Sequence, residues 1–380
     1  MGKDIPLGRI AGIKVGLDVS AFLFAAFCAV NLATIQLPEL SSRQPDSAYW
    51  VAGVVGAILL FLSLLVHEVG HALVARDEGI VVEGMSLNIL GGVTRMQSSP
   101  TTPGAEFRVS VVGPVASAAC GVVFLVGSYL LPNHGLLGLT GALYFWAGYV
   151  NLFLAVLNMV PAAPLDGGKV LSSILWRSTG SQSTAMRWSG AAGIVVGAGL
   201  LYLGYHRLQG GNAFAGWFIL ISGAFVAYSA FTQVRSAPLY AALDGVTVAE
   251  LMAAGPPTAA SWSTVGEFLR TSSPRPEHQA YPVVGPDGQV AGLLTASAIR
   301  AVPPEQWDQM PVTALAYPLE RLTLVHIDEP IIPALQKVEG GDIRHGLVVT
   351  PDGRIVGTLD PSAVDRAMAT RRTEVQPTRA

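Results

Sequence analysis

At 380 residues the chain is long enough for two or more domains. Its 51% hydrophobic and 13% charged residues set it apart from an ordinary soluble protein, in which about 25% are charged. A net charge of −3 gives no footing for a nucleic-acid partner, and Cys28 and Cys120, both inside apolar runs, argue against a disulfide framework or a cysteine-bound metal.

The charges are unevenly placed. Residues 1–240 hold 12 Lys/Arg and 10 Asp/Glu, and residues 241–380 hold the remaining 11 and 16. The first part reads as membrane-embedded and the last as soluble. Arginine outnumbers lysine and alanine is abundant, which points to a bacterial source with a GC-rich genome. No signal peptide is expected, because the first apolar run lacks a small-residue cleavage site. Six runs reach the roughly 17–25 residues that cross a bilayer. They lie near 19–37, 50–75, 109–131, 136–160, 189–205 and 212–231. Lys3, Arg9 and Lys14 precede the first, Arg76, Arg95 and Arg108 follow the second, Lys169, Arg177 and Arg187 follow the fourth, and Arg235 follows the sixth. This bias predicts cytoplasmic termini and a multi-pass protein of the cell membrane.

The second run ends in 59-LLFLSLLVHEVGHALVARDEG-79. His67 and His71, four residues apart, project from one helical face. Imidazoles at that spacing suit a tetrahedral Zn²⁺, and Glu68 beside them suits a general base acting on water. A charged residue within a membrane helix costs about 2.5–3.5 kcal/mol on insertion scales, so such a cluster calls for a function. The next stretch, 80-IVVEGMSLNILGGVTRM-96, reads as two strands turning at Gly91-Gly92. At membrane depth its backbone must pair within protein, which predicts a hairpin dipping beside the bundle; an ordinary cytoplasmic hairpin is the alternative.

A catalytic zinc takes three protein ligands and keeps one position open. Asp166 is the sole acidic residue between Glu106 and Asp244, and it sits in 158-NMVPAAPLDGGKV-170 at the predicted cytoplasmic end of span four. Prolines 161 and 164 and glycines 167 and 168 break the helix and allow Asp166 to turn inward; capping of the following helix is its other reading. His134, His206, His278, His326 and His345 have no such setting. Asn31, Gln36 and Asn151 are expected to make interhelical hydrogen bonds.

The tail repeats itself at an offset of 65: compare 281-YPVVGPDGQVAGLLTASAI-299 with 346-GLVVTPDGRIVGTLDPSAV-364. Each copy reads as strand, Asp-Gly turn, strand and helix, and two copies predict a pseudo-symmetric pair. The tail resembles a tandem cystathionine-β-synthase (CBS) module, which implies an adenine nucleotide as ligand. Thr295 fits the threonine of that pattern, but Ala298 stands where its aspartate belongs, and the second copy has Asp360 and Ala363 at those places. A structural pair that joins two chains as a homodimer is the other reading.

His67-Glu68-Val69-Gly70-His71, the Asn158 to Gly168 stretch, the hairpin between them and the repeated tail together resemble the site-2 protease family of intramembrane zinc metalloproteases. The resemblance covers nearly the whole chain. It implies His67, His71 and Asp166 as zinc ligands, Glu68 as catalytic acid and base, and Asn158 as a substrate or oxyanion contact. It implies that Pro164 and Gly167 shape the loop, and Gly113-Pro114 matches a further family element. The expected fold is an all-α polytopic membrane domain of six transmembrane helices with a β-hairpin insertion (1–235), followed by an α+β cytoplasmic tandem CBS module (245–303 and 308–370). The implied partners are the lipid bilayer and single-span membrane proteins such as anti-sigma factors, cut in or near their transmembrane segments. A CBS-regulated transporter or channel for metal ions is the alternative that the residues alone leave open.

Overall fold

The computed structural model describes residues 4–88, 91–96, 98–132, 134–211, 213–272, 278–341 and 343–362. The chain divides into two compact units, 1–242 and 243–380.

Among the described residues of the first unit, six helices are long and apolar enough to cross a membrane: α1 (Val19–Leu40), α2 (Asp46–Asp77), α3 (Pro103–Leu130), α4 (Gly135–Asn158), α6 (Gln182–Gln209) and α7 (Ala213–Leu243). All six predicted runs fall on them, although Asn212, where the last was expected to begin, lies outside the described residues. Local chemistry sets their starts. The Asp18 carboxylate accepts the Ser20 amide at 2.8 Å, Thr102 accepts from Ala105 and Ser181 from Thr184, each oxygen satisfying an N–H that a helix start leaves open. The shorter helix α5 (Asp166–Thr179) stops at Gly180, whose φ of 70° is a helix-ending conformation open to glycine. Small residues bring the helices close. A Cβ on Gly121 of α3 would meet the Gly148 carbonyl of α4 at 3.1 Å, and one on Gly148 would meet the Gly121 carbonyl at 3.0 Å. Asn151 bridges helices as expected, donating to Ser63 Oγ at 3.1 Å. Asn31 and Gln36 make no such bond among the described residues; the π-helical turn Leu32–Gln36 follows the first and ends at the second.

The predicted hairpin is half of a larger sheet. Strands β1 (Ile5–Ile10), β2 (Ile13–Leu17), β3 (Val82–Asn88) and β4 (Gly91–Met96) pair in that order, β2 parallel to β3 and the other two pairs antiparallel. Ala11 and Gly12, both at positive φ, make the two-residue turn between β1 and β2. Alternation then turns Ile13 and Val15 inward, where they pack with Met85 of β3 and Ala72 of α2. Gly91 and Gly92, expected at the second turn, instead lie within β4, opposite Asn88 and Leu87. Arginines tie the sheet and its loops together: Arg95 pairs with Asp4 at 2.6 Å, Arg76 donates to the Ala11 carbonyl, and Arg108 grips Glu78 with two nitrogens. That grip holds the Glu78 carboxyl below its ordinary pKa.

Among its described residues the second unit has two four-stranded sheets. One has the order β6 (Ala259–Ala260), β7 (Ala280–Val284), β8 (Val290–Thr295) and β9 (Tyr317–Pro318). The other runs β10 (Thr323–His326), β11 (Gly346–Val349), β12 (Ile355–Leu359) and β5 (Ala253–Ala254). The Asp-Gly turns match across the repeat: Gly288 and Gly353 have φ of 76° and 80°, and each donates to the carbonyl three residues back. The two halves exchange short strands: β5, ahead of β6 to β8, pairs with β12, and β9, after them, pairs with β8. Ala280 and Leu293 of one sheet pack with Leu347 of the other. Ala363 lies outside the described residues.

Candidate metal centre

The 3.6-residue period of α2 stacks His67 on His71, with ring centroids 4.8 Å apart and both side chains buried. Their inward Nε2 atoms are 3.1 Å apart. Their outward Nδ1 atoms are held by α3: His71 Nδ1 lies 2.5 Å from the Val109 carbonyl and His67 Nδ1 lies 2.9 Å from Ser117 Oγ. A carbonyl only accepts, so His71 carries its proton on Nδ1 and presents a lone pair at Nε2. Fixing the outer nitrogen in this way is how a protein orients a histidine toward a metal.

Asp166 arrives from the break between α4 and α5. It is the first residue of α5, and the capping position belongs to Leu165, which makes no side-chain cap bond. Its carboxylate goes to the histidines instead, Oδ2 lying 3.2 Å from both Nε2 atoms. The break is packed too tightly for side chains. A Cβ on Gly167 would lie 2.4 Å from the Met159 and Val160 carbonyl oxygens, and one on Gly193 of α6 would lie 2.7 Å from that of Ala163.

These three residues fit a metal. Among the described residues they form the one group of His, Cys, Asp or Glu placed to hold an ion. Zinc bonds of about 2.0–2.1 Å in tetrahedral geometry set ligand atoms roughly 3.3 Å apart. The observed triangle, 3.1 Å on one side and 3.2 Å on the others, is close to one face of that tetrahedron. Space is kept beside it by Gly113 of α3, where a Cβ would sit 2.3 Å from His71 Nε2 and 2.6 Å from His67 Nε2. Any side chain there would fill the cradle.

Glu68, also buried, points from α2 toward the sheet, where its Oε2 accepts from Thr94 Oγ1 of β4 at 2.7 Å. Asn158, the last residue of α4, is half-buried and among the described residues makes no hydrogen bond to the histidines or to Asp166. The sequence reading missed Ser117, the Val109 carbonyl and Thr94. Each lies on an element whose approach to α2 carries no local pattern; only the alternation from Gly92 to Thr94 could have hinted at a shared face.

A family model described as peptidase family M50 matches residues 55–140 and 134–201. The Rip3 protein of Mycobacterium tuberculosis, named as a zinc metalloprotease, is 34% identical over 96% of this chain and 93% of its own length. Among solved structures, a site-2 protease from Methanocaldococcus jannaschii is 26% identical over 61% of this chain and 95% of that one, with a TM-score of 0.43. A CBS-domain protein of Thermoplasma acidophilum is 17% identical over 34% of this chain and 77% of that one, with a TM-score of 0.26. With a relative this similar along nearly the full length of both chains, the chain belongs to peptidase family M50, the site-2 protease family, and is a multi-pass membrane zinc metalloprotease.

Proposed function

We propose that this protein hydrolyses a peptide bond in or near the transmembrane segment of a single-span membrane protein, as in regulated intramembrane proteolysis, with His67, His71 and Asp166 holding zinc and Glu68 acting as acid and base. The observation that carries the reading is the buried triangle of donor atoms, two of them with the neighbouring buried carboxylate of Glu68 on a helix long enough to span the bilayer and the third on the short helix α5. When bound, zinc supplies a Lewis acid that acidifies water and polarises a carbonyl. Glu68 accepts the proton of the attacking water and returns it to the leaving amine. Asn158, at the mouth of the break that delivers Asp166, is assigned a hydrogen bond to the developing oxyanion, a type of contact that contributes about 2.7–4 kcal/mol.

A helical substrate hides its carbonyls and must unwind before attack. The outer edge of β4, which ends the sheet, offers backbone groups to an extended substrate strand. Both termini are assigned to the cytoplasm of a bacterial cell, on the arginine and lysine bias. The tail, as CBS repeats 245–303 and 308–370, is assigned an adenine nucleotide as ligand and a second copy of itself as partner. Both assignments rest on the resemblance of the tail to CBS modules; Thr295 and Asp360, equivalent in the two repeats, are both buried and each accepts a backbone amide from the residues that follow it, which supports only the likeness of the two halves. An anti-sigma factor is the substrate class that the family resemblance favours.

The test is Glu68→Gln in purified full-length protein, incubated with candidate single-span proteins and read by fragment mass. The variant is expected to retain one zinc per chain and to lose cleavage entirely. Cleavage at the wild-type rate would refute the assignment of Glu68.

A further inference from the structure

We propose that Thr94 is the positioning residue that sets the Glu68 carboxylate for proton transfer, an inference that rests on the acid/base reading of Glu68. The inward face of β4 is the origin of the contact. Successive residues of a strand alternate faces, so Gly92 and Thr94 share one side while Val93 and Arg95 are exposed on the other. Both inward positions meet Glu68. Thr94 Oγ1 donates to Oε2 at 2.7 Å and lies 3.5 Å from the Glu68 carbonyl. At Gly92 a Cβ would lie 2.1 Å from Glu68 Cγ and 2.6 Å from Oε1, so the strand lies flat against the side chain. Among the described residues, Thr94 supplies the one side-chain hydrogen bond to this carboxylate.

The arrangement divides the work between the two oxygens. Oε2 is tied to the sheet, which fixes the carboxylate plane and leaves Oε1 to exchange the proton. A glutamate on a helix has several rotatable bonds, and a bond to a charged acceptor is about twice as strong as a neutral one. The sheet can act as a rigid anchor because Thr94 pairs with Met85 of β3 and its neighbour Arg95 is pinned to Asp4. A valine would reproduce the shape of Thr94 without its hydroxyl. Serine keeps the hydroxyl and drops the methyl.

The experiment compares full-length wild type, Thr94→Val, Thr94→Ser and Glu68→Gln, each zinc-loaded in detergent. Zinc content, kcat and KM are measured on a tagged model protein with one apolar helix of about 20 residues. Affinity for a peptidyl hydroxamate, which hands its proton to the general base on binding, is measured by calorimetry. Thr94→Val is expected to keep its zinc, to lose roughly tenfold or more in kcat with KM unchanged, and to bind the hydroxamate more weakly by a similar factor. Thr94→Ser is expected to restore both. Wild-type kcat and hydroxamate affinity in Thr94→Val, a raised kcat, or a serine variant as impaired as valine would each overturn the proposal. If the model protein is not cut, the hydroxamate affinities decide alone. An active Glu68→Gln sinks the acid/base reading; an inactive one beside a fully active Thr94→Val sinks only the role of Thr94.

Discussion

Each histidine at the centre is held by an atom from a different turn of α3, and those outer contacts fix what the inner nitrogens can do. Ser117 is buried and faces His67 Nδ1, so its hydroxyl holds the ring from the side away from Nε2. Partners of this kind typically change metal affinity by about 10–100-fold. Ser117→Ala is therefore expected to leave the protein folded and to weaken zinc binding about tenfold, measured by competition with a chromophoric chelator. Unaltered affinity would show that the His67 ring is fixed by packing alone. The histidines and Glu68 are legible in the sequence because a five-residue spacing carries their chemistry. Ser117 and Val109 are not, for they lie 50 and 38 residues from the rings they hold, in a helix whose composition gives no sign of it.

Two breaks in regular structure deliver the remaining groups. Prolines and glycines after α4 announced a break, and an isolated Asp at its end was open to two readings, ligand or cap. Packing speaks against the cap. Gly167 and Gly168 fold the chain back on its own carbonyls, Gly193 lets α6 press on the same loop, and the capping position falls to Leu165, leaving Asp166 free to turn inward. The second break shows how a strong local signal loses. Gly91-Gly92 is a good turn sequence, yet both residues sit in β4, and Gly92 is glycine because Glu68 occupies the space a side chain would take. Strands β1 and β2 escaped notice for another reason. Their lysine and arginine read as charges flanking a membrane span, and two short strands need a partner sheet before their alternation has meaning.

At the scale of the whole chain, hydropathy alone separated a unit with helices of membrane-spanning length from one that has none among the described residues, and a 65-residue offset exposed the repeat in the tail. The exchange of β5 and β9 between the two sheets left no trace in sequence, since two-residue strands carry no period. A regulatory role for the tail is open to a direct test. Removal of residues 243–380 is expected to change the cleavage rate about fivefold or more and to abolish any response to ATP, a coupling of ordinary allosteric size. Equal rates with and without the tail, whether or not ATP is present, would leave it no regulatory role.

The most direct test of the account is X-ray diffraction from zinc-loaded crystals at wavelengths on either side of the zinc absorption edge. The account predicts one anomalous peak per chain, about 2 Å from Nε2 of His67, Nε2 of His71 and Oδ2 of Asp166. Zinc bound elsewhere, or an Asp166 carboxylate outside its coordination sphere, would contradict it.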